Sequence, residues 1–312
     1  MKKTYTRRLA RSVLALLSYG TIKDVAAHTG LAWHTVKEIE KSHLRKHYAK
    51  PRLKDVKYIA IDEFAVHKVH KYMTVVMDLE TRQVLYVGKG KKASSLDGFW
   101  KLLKRSGSKI KAVAIDMSPA FIKAVTDHLP KSKLVFDWFH IVKLINDKLS
   151  DLRRDMFRQE QNVGVRQVLK GTRWLLLKRG YNLDTEKGED LRLTEALKMN
   201  EPLAMMYYMK EELTLMWDHQ TKREALIFLR NWCKRATNSG VKQLQQVAKT
   251  LLAFRTGILN WYNARISTGP LEGLNNKIKV LKRKAYGYRD LEYFALKIKS
   301  IHEYRIRHSL IR

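Results

Sequence analysis

Residues 56–62 read VKYIAID, and residues 109–116 read KIKAVAID. Each is a short apolar run that ends on an aspartate, and runs of this length and composition predict buried strands. Helical patterns at 94–107 and 119–129 flank the second run. The order of these segments predicts an α/β domain with a mixed five-stranded sheet. The three other predicted strands are YMTVVMDL (72–79), QVLYVGKG (83–90) and KLVFD (133–137).

The segment before the first strand is predicted to contain three helices. Thr21 is a good N-cap, with Asp24 three residues later, and Gly30 falls at a tight turn. This spacing fits a helix-turn-helix, whose second helix enters the major groove of DNA. An ordinary three-helix bundle is the alternative to a DNA-binding domain, and Trp33 could equally be a core residue. The residues offered to the groove would be Trp33, His34, Thr35 and Lys37.

After the last predicted strand, the pattern is helical to about residue 263. Breaks are predicted near 180–182 and 238–240, where glycine and asparagine cluster. Residues 267–270 (STGP) mark the start of a further helix, which ends at Tyr286-Gly287. A last helix is predicted over roughly 289–307.

The composition of the chain excludes a disordered basic tail and favours a globular protein that binds a polyanion. Lys and Arg total 62 against 30 Asp and Glu, which gives a formal net charge of +32, yet 45% of the 312 residues are apolar. The chain can therefore build a core, and a polyanionic partner such as nucleic acid is expected. A ribosomal or merely soluble basic protein is the alternative. No apolar run approaches a membrane span, and the N-terminus lacks a signal-peptide pattern, so a cytoplasmic protein is expected.

Two aspartates, Asp62 and Asp116, are predicted to end neighbouring strands, where α/β sheets place their ligands. Hard carboxylate oxygens there suit Mg²⁺ or Mn²⁺, and two-metal phosphoryl transfer needs a further carboxylate. Glu272 is the best candidate, because it lies in the first turn of the helix after Pro270. The polar residues that share its helix face are Asn275, Asn276 and Lys279.

Each carboxylate also has an ordinary structural explanation. A strand-terminal Asp62 could belong to a turn, Asp116 could cap the following helix, and Glu272 could complement the helix dipole. His140 is either an active-site neighbour or a helix cap. Asp137 also ends a strand and is therefore a second possible active-site neighbour. Asp78 is more typical of a strand end than of a catalytic site. His67 and His70 could bind metal but are more typical of a solvated hairpin. Alternation along the strand directs Glu63 away from the face of Asp62.

Four stretches resemble the ISL-three family of bacterial insertion-sequence transposases: YIAIDEFAVHK, AVAIDMSPAF, LVFDWFHIVK and STGPLEGLNNKIKVLKRKAYGYRD. The resemblance covers roughly residues 5–310. It implies an RNase H-like catalytic core with a DDE triad, in which Asp62, Asp116 and Glu272 match the three acidic positions. It also implies that the helical stretch 141–265 is an insertion between the second and third acidic residues.

The resemblance predicts four segments along the chain. They are a helix-turn-helix domain (1–50), the first part of the core (51–140), the helical insertion (141–265) and the last core helices (266–312). Family members commonly carry a cysteine-rich zinc-binding segment before the helix-turn-helix. This chain has only Cys233, so no zinc is expected, and the chain is expected to be a shortened or truncated copy.

The predicted function is metal-dependent DNA cleavage at transposon ends, followed by strand transfer, with two Mg²⁺ or Mn²⁺ ions as cofactors. The partners would be double-stranded DNA and further copies of this chain assembled on it, in the bacterial cytoplasm at the nucleoid. A non-enzymatic helix-turn-helix regulator and an RNase H-fold nuclease without strand joining are the alternatives. A basic segment, 277–289, would track the phosphate backbone, unless it is only a solvated basic helix face. The DNA contacts predicted on this helix are Asn276, Lys279, Lys282, Arg283 and Lys284.

Overall fold

The computed structural model describes residues 5–67 and 71–301. The chain divides into two compact units. The first unit comprises Met1–Val113, Ser118–Ser132 and Thr268–Arg312, and the second comprises Ala114–Met117 and Lys133–Ser267. Among the helices of the described residues, none has the length and apolar character of a membrane span.

Three short helices open the first unit and confirm the predicted helix-turn-helix region. They are α1 (Arg7–Leu16), α2 (Ile22–Thr29) and α3 (Trp33–Tyr48). The predicted capping box is present, since Thr21 and Asp24 exchange hydrogen bonds at the start of α2. Gly30 ends α2 with a φ of +69°, a conformation that glycine adopts without a steric penalty. The buried residues that hold the three helices together are Val13, Leu17, Val25, Val36 and Ile39.

The sheet has five strands in the order β3-β2-β1-β4-β5, which confirms the predicted mixed five-stranded sheet. The first three strands pair antiparallel, as expected for consecutive strands separated by only a few residues. Their apolar runs are buried, which explains why the sequence reads as near-continuous hydrophobic segments there. The strands are β1 (Tyr58–His67), β2 (Lys71–Asp78), β3 (Val84–Lys89), β4 (Ala112–Ile115) and β5 (Lys133–Phe136).

The prediction that Asp62 ends its strand is wrong. β1 continues to His67, and Asp62 pairs with Val75 in the middle of the strand. The strand is longer because Phe64 and Val66, beyond the aspartate, are also buried and extend its apolar contacts. Asp116, in contrast, directly follows β4 as predicted.

Four further helices complete the first unit: α4 (Asp97–Ser106), α5 (Pro119–His128), α13 (Gly269–Lys284) and α14 (Leu291–Ser300). α13 contacts β1, while α14 contacts both β3 and α3. The last helix starts at residue 291 rather than 289, because the Asp290 carboxylate caps it by accepting a hydrogen bond from the Tyr293 amide. Its predicted continuation past residue 301 lies outside the described residues.

The second unit is helical around β5. Helices break at the two predicted places: a short 3₁₀ turn occupies Gly180–Asn182, and α10 ends at Asn238. Gly257 of α11 lies so close to Phe136 that a Cβ atom there would meet the ring at 2.4 Å. The helices are α6 (Trp138–Gln159), α7 (Val163–Gly171), α8 (Glu189–Met199), α9 (Glu201–Thr214), α10 (Lys222–Asn238), α11 (Lys242–Leu259) and α12 (Trp261–Ala264).

Candidate functional site

Asp62 and Asn275 join β1 to α13. The Asn275 side-chain amide donates to Asp62 Oδ2 at 2.8 Å, and the Glu63 backbone N–H donates to Asp62 Oδ1 at the same distance. Asn275 Oδ1 is buried and accepts no hydrogen bond from the described residues. This contact places α13, the helix that carries Glu272, directly beside the Asp62 carboxylate.

The sequence of α13 explains how this helix is held against the strand. Pro270 lies in its first turn, where the missing N–H is tolerated, and Leu271, Leu274 and Ile278 form its buried face. One turn beyond this face, the Lys282 amine donates to the Ala65 carbonyl of β1 at 2.8 Å. Burial lowers the pKa of Lys282. Two side chains of α13, seven residues apart, therefore fix it along β1.

Glu272 lies in the first turn of α13, three residues before Asn275, and its side chain is exposed. Residues three apart on a helix share a face, so Glu272 and Asn275 lie on the same side of α13. Asp116 belongs to the second unit and is partly buried. The N-cap position of the helix that follows it, α5, is taken by Ser118 rather than by Asp116.

Two further aspartates at strand ends, Asp78 and Asp137, have different surroundings from Asp62 and Asp116. Asp78 ends β2 and accepts hydrogen bonds from the Glu80 amide and the Thr81 hydroxyl, which is a turn role. Asp137 is 2% exposed at the start of α6, and its amide donates to the carbonyl of Ile115, the residue before Asp116. The structure therefore keeps Asp137 beside the end of β4 within the second unit.

Of the three predicted histidines, His140 is the one whose side chain is described. His140 lies in the first turn of α6, where its ring contacts Phe139, with ring centroids 5.8 Å apart. His70 lies outside the described residues, and only the backbone of His67 is described. Among the described side chains, in residues 5–66 and 71–301, no group of three or more His, Cys, Asp or Glu is arranged to hold a metal ion.

The donor set around Asp62 nevertheless suits a hard divalent cation. Carboxylate and side-chain amide oxygens are the ligands that Mg²⁺ and Mn²⁺ prefer. Asp62 supplies a carboxylate, and the buried Asn275 Oδ1 supplies an oxygen that no donor of the described residues satisfies. Buried oxygens of this kind need a partner, which a cation can provide.

The residues of α3 that are predicted to read DNA have two different environments. Trp33 is 52% exposed and His34 is exposed, so the first turn of α3 faces solvent. The Lys37 amine, in contrast, forms an ion pair with Asp290 at 2.9 Å. Of the two positions considered for Trp33, the surface position is the one observed.

Lys37 is part of an ion-pair network between α3 and the start of α14, which we call the α3–α14 network. The Lys41 amine lies 2.8 Å from the Asp290 carboxylate and 3.0 Å from that of Glu292. Glu40 is buried and is bound by the Tyr293 hydroxyl and the Lys297 amine. Arg45 donates to Glu292 at 2.8 Å. The members of the network are Lys37, Glu40, Lys41, Arg45, Asp290, Glu292, Tyr293 and Lys297.

Sequence reasoning did not identify this network, although one signal was available. Asp290 and Glu292 are the acidic residues of an otherwise basic stretch, 277–300. Burial alone would raise the pKa of Asp290, but hydrogen bonds from Lys41, Lys37 and a backbone amide outweigh it and hold that pKa well below its usual range. The helix-turn-helix is therefore held on the same compact unit as Asp62 and α13.

The predicted phosphate-contacting residues of α13 lie along its solvent side. The Lys279 amine donates to Asn276 Oδ1 at 3.2 Å, and both residues are exposed. The Lys284 amine donates to the Tyr19 carbonyl at 3.4 Å, and Arg283 is exposed. Lys282 differs from these, since its amine points to Ala65.

Comparison with known families gives two matches along the chain. A family model described as "Transposase" matches residues 59–298. A second model, described as "Helix-turn-helix domain of transposase family ISL3", matches residues 2–44. The first match spans most of the chain, and the second covers α1, α2 and most of α3.

Curated relatives agree with these matches. The chain is 39% identical over 298 residues to the transposase for insertion sequence element IS1001 of Bordetella parapertussis, which covers 95% of this chain and 73% of that protein. It is 25% identical over 261 residues to the transposase for insertion sequence element IS1557 of Mycobacterium tuberculosis, covering 76% and 58% respectively. A solved structure, the Drosophila P element transposase strand transfer complex, has a TM-score of 0.48 at 11% identity and covers 96% of this chain and 92% of that chain.

Proposed function

The chain belongs to the ISL3 family of transposases, and from that premise we propose that it cleaves DNA at transposon ends and joins the freed ends to target DNA by a DDE mechanism. Asp62, Asp116 and Glu272 are the proposed catalytic carboxylates. The observation that carries this proposal is the contact between Asp62 and Asn275, because it brings the helix of Glu272 against the strand of Asp62.

The three carboxylates would hold two divalent cations, Mg²⁺ or Mn²⁺. Bound cations of this kind activate a water molecule and neutralise charge on the scissile phosphate. Asp62 sits on β1, and Asp116 follows β4, the strand next to β1 in the sheet order. Glu272 comes from α13, and Asn275 keeps the Asp62 carboxylate in one orientation.

The protein groups around the site have separate roles in this proposal. The exposed cations of α13, Lys279, Arg283 and Lys284, bind phosphates of the DNA and set its path past Glu272. The first turn of α3, with Trp33, His34 and Thr35, reads base edges of double-stranded DNA. We propose that copies of the chain assemble on the transposon ends, in the bacterial cytoplasm.

The replacement Asp62→Asn tests the proposal. It keeps the size of the side chain and removes the charge that a cation needs, so we expect DNA binding to be retained and Mg²⁺-dependent nicking of terminal DNA to be lost. Binding is measured by gel shift, and nicking is measured on labelled DNA that carries the ends flanking the gene. Asp127→Asn, which changes an exposed aspartate of α5 in the same unit, is the matched control.

The alternatives predict different outcomes in the same assay. Nicking by Asp62→Asn at the wild-type rate would remove Asp62 from the site. Binding by the wild-type protein without any cleavage, in Mg²⁺ or Mn²⁺, would favour a DNA-binding regulator. Cleavage without joining to a target plasmid would favour a nuclease.

A further inference from the structure

A groove of about 810 Å³ lies within the first unit. One wall is formed by the helix-turn-helix, including Lys23 and Trp33. The other wall is the connection from α13 to α14, including Lys284, Tyr286 and Arg289. The groove therefore lies between the element proposed to read DNA and the C-terminal end of the helix that carries Glu272.

The groove carries excess positive charge. Its two acidic side chains, Glu40 and Asp290, already bind cations of the α3–α14 network. Asp24, beside the groove, interacts with Lys23 and Lys284, but the positive excess remains. The cations of the wall are Lys23, Lys37, Lys284, Arg289 and Lys297, against Glu40, Asp290 and the adjacent Asp24. A groove with this charge distribution is complementary to an anionic ligand.

Two exposed aromatic side chains stand in the groove. Tyr286 is fully exposed, and its φ of +53° is a strained conformation for a residue other than glycine. Trp33 is half exposed, on the opposite wall. The positive φ of Tyr286 is accounted for by the turn that ends α13, in which the Tyr286 and Gly287 amides donate to the Arg283 and Lys282 carbonyls, whereas nothing in the packing buries the exposed ring.

We propose that this groove binds an unstacked DNA strand, with Tyr286 stacking on a base and Lys23, Lys284 and Arg289 holding phosphates. Aromatic rings interleaved with cations are the usual means of binding single-stranded nucleic acid, and the faces of a base are accessible only when it leaves the duplex. The proposal rests on the proposed function, which supplies DNA as the ligand, and it adds the form of DNA and the residues.

The position of the groove fits a strand that leads away from the cleaved phosphate. Glu272 and Lys284 lie at opposite ends of α13, twelve residues apart, which corresponds to roughly 18 Å at the helical rise of about 1.5 Å per residue. Bases near a cut end unstack more readily than bases inside an intact duplex.

The test measures binding of a short oligothymidylate by fluorescence anisotropy, at fixed salt and without divalent cations. We expect Tyr286→Ala to weaken this binding by about 5- to 100-fold, the loss typical of one stacked base, and to leave binding of a random duplex unchanged. Tyr286→Phe keeps the ring and should bind as the wild type does. Tyr208→Ala removes a tyrosine of the second unit that is 63% exposed, and it is the matched control.

Two results would overturn the proposal. One is equal binding of oligothymidylate by Tyr286→Ala and Tyr208→Ala; the other is an equal loss on single strand and duplex, which would assign the groove to duplex DNA. Photocrosslinking of the wild-type protein to 5-iodouracil-substituted oligonucleotide gives an independent readout, with the crosslink expected at Tyr286. Because the binding assay needs no cleavage, failure of the Asp62→Asn test and failure of this proposal are distinguishable.

Discussion

Asn275 is the residue through which α13 contacts the carboxylate of Asp62. Its amide N–H fixes one carboxylate oxygen, while its own Oδ1 stays buried without a donor from the described residues. Groups that orient a metal-binding carboxylate in this way affect the metal affinity of the site without carrying out the reaction. Asn275 is therefore a positioning residue in the proposed mechanism.

We expect Asn275→Ala to slow Mg²⁺-dependent nicking by about 10- to 100-fold and to raise the Mg²⁺ concentration needed for half-maximal rate. The reason is that the Asp62 carboxylate loses the side-chain donor to Oδ2 and keeps the Glu63 amide at Oδ1. The measurement is the nicking rate across an Mg²⁺ titration, with duplex binding followed in parallel. Asn231→Ala, an exposed asparagine of α10, is the control. An unchanged Mg²⁺ requirement in Asn275→Ala would contradict this role.

At the scale of elements, the α3–α14 network joins helices that are far apart in the chain. Lys41 and Asp290 are 249 residues apart, and Asp290 also caps α14. Asparagine is as good an N-cap as aspartate, so Asp290→Asn removes the charge and keeps the cap. The contribution of the ion pairs can therefore be measured separately from that of the helix cap.

We expect Asp290→Asn to lower the free energy of unfolding by about 1–2 kcal/mol near neutral pH, between the values for exposed and buried ion pairs. The pKa of Asp290 is depressed in the folded state, so its contribution is present above the unfolded-state pKa of about 3.9 and is lost as pH falls below it. Urea unfolding of both proteins at several pH values measures the difference. If the free energies of unfolding of the wild type and Asp290→Asn differed by the same amount below about pH 4, the ionised Asp290 carboxylate could not be the source of that difference.

Much of the element pattern could be predicted, because local sequence determines it. The capping box of Thr21 and Asp24 and the five strands follow from residue types a few positions apart. The end of β1 could not be predicted from Asp62. A carboxylate usually ends an apolar strand, whereas here Asn275, 213 residues later, supplies a hydrogen bond in the middle of the strand.

The partners of charged residues were the least predictable part of the candidate site. Lys37 has the position and charge of a DNA-reading residue, and its sequence neighbours give no sign of Asp290. Likewise, nothing in the sequence distinguishes Lys282 from the other cations of α13, although its amine donates to the Ala65 carbonyl. Such pairings depend on how distant segments pack, which periodicity does not reveal.

For the whole molecule, the net charge of +32 predicts that DNA binding weakens as salt rises, by an amount that depends on the number of phosphates contacted. If about 6–10 phosphates are contacted, the affinity for random duplex DNA should fall by about 10³- to 10⁵-fold between about 50 and 200 mM salt. Fluorescence anisotropy over a salt series gives the slope directly. Lys279→Ala should reduce that slope by about one, because it removes one phosphate contact. An affinity independent of salt would show that the charge does not act on phosphates.

The α3–α14 network has a consequence for where a DNA molecule is cut. Because the ion pairs hold α3 on the unit that contains Asp62 and Glu272, the proposed mechanism implies a fixed distance, within one copy of the chain, from the bases that α3 would read to the phosphate that those carboxylates would cleave. The number of base pairs between the recognised sequence and the nick should then be constant. Loosening the network would broaden the distribution of nick positions while the recognised sequence stays the same.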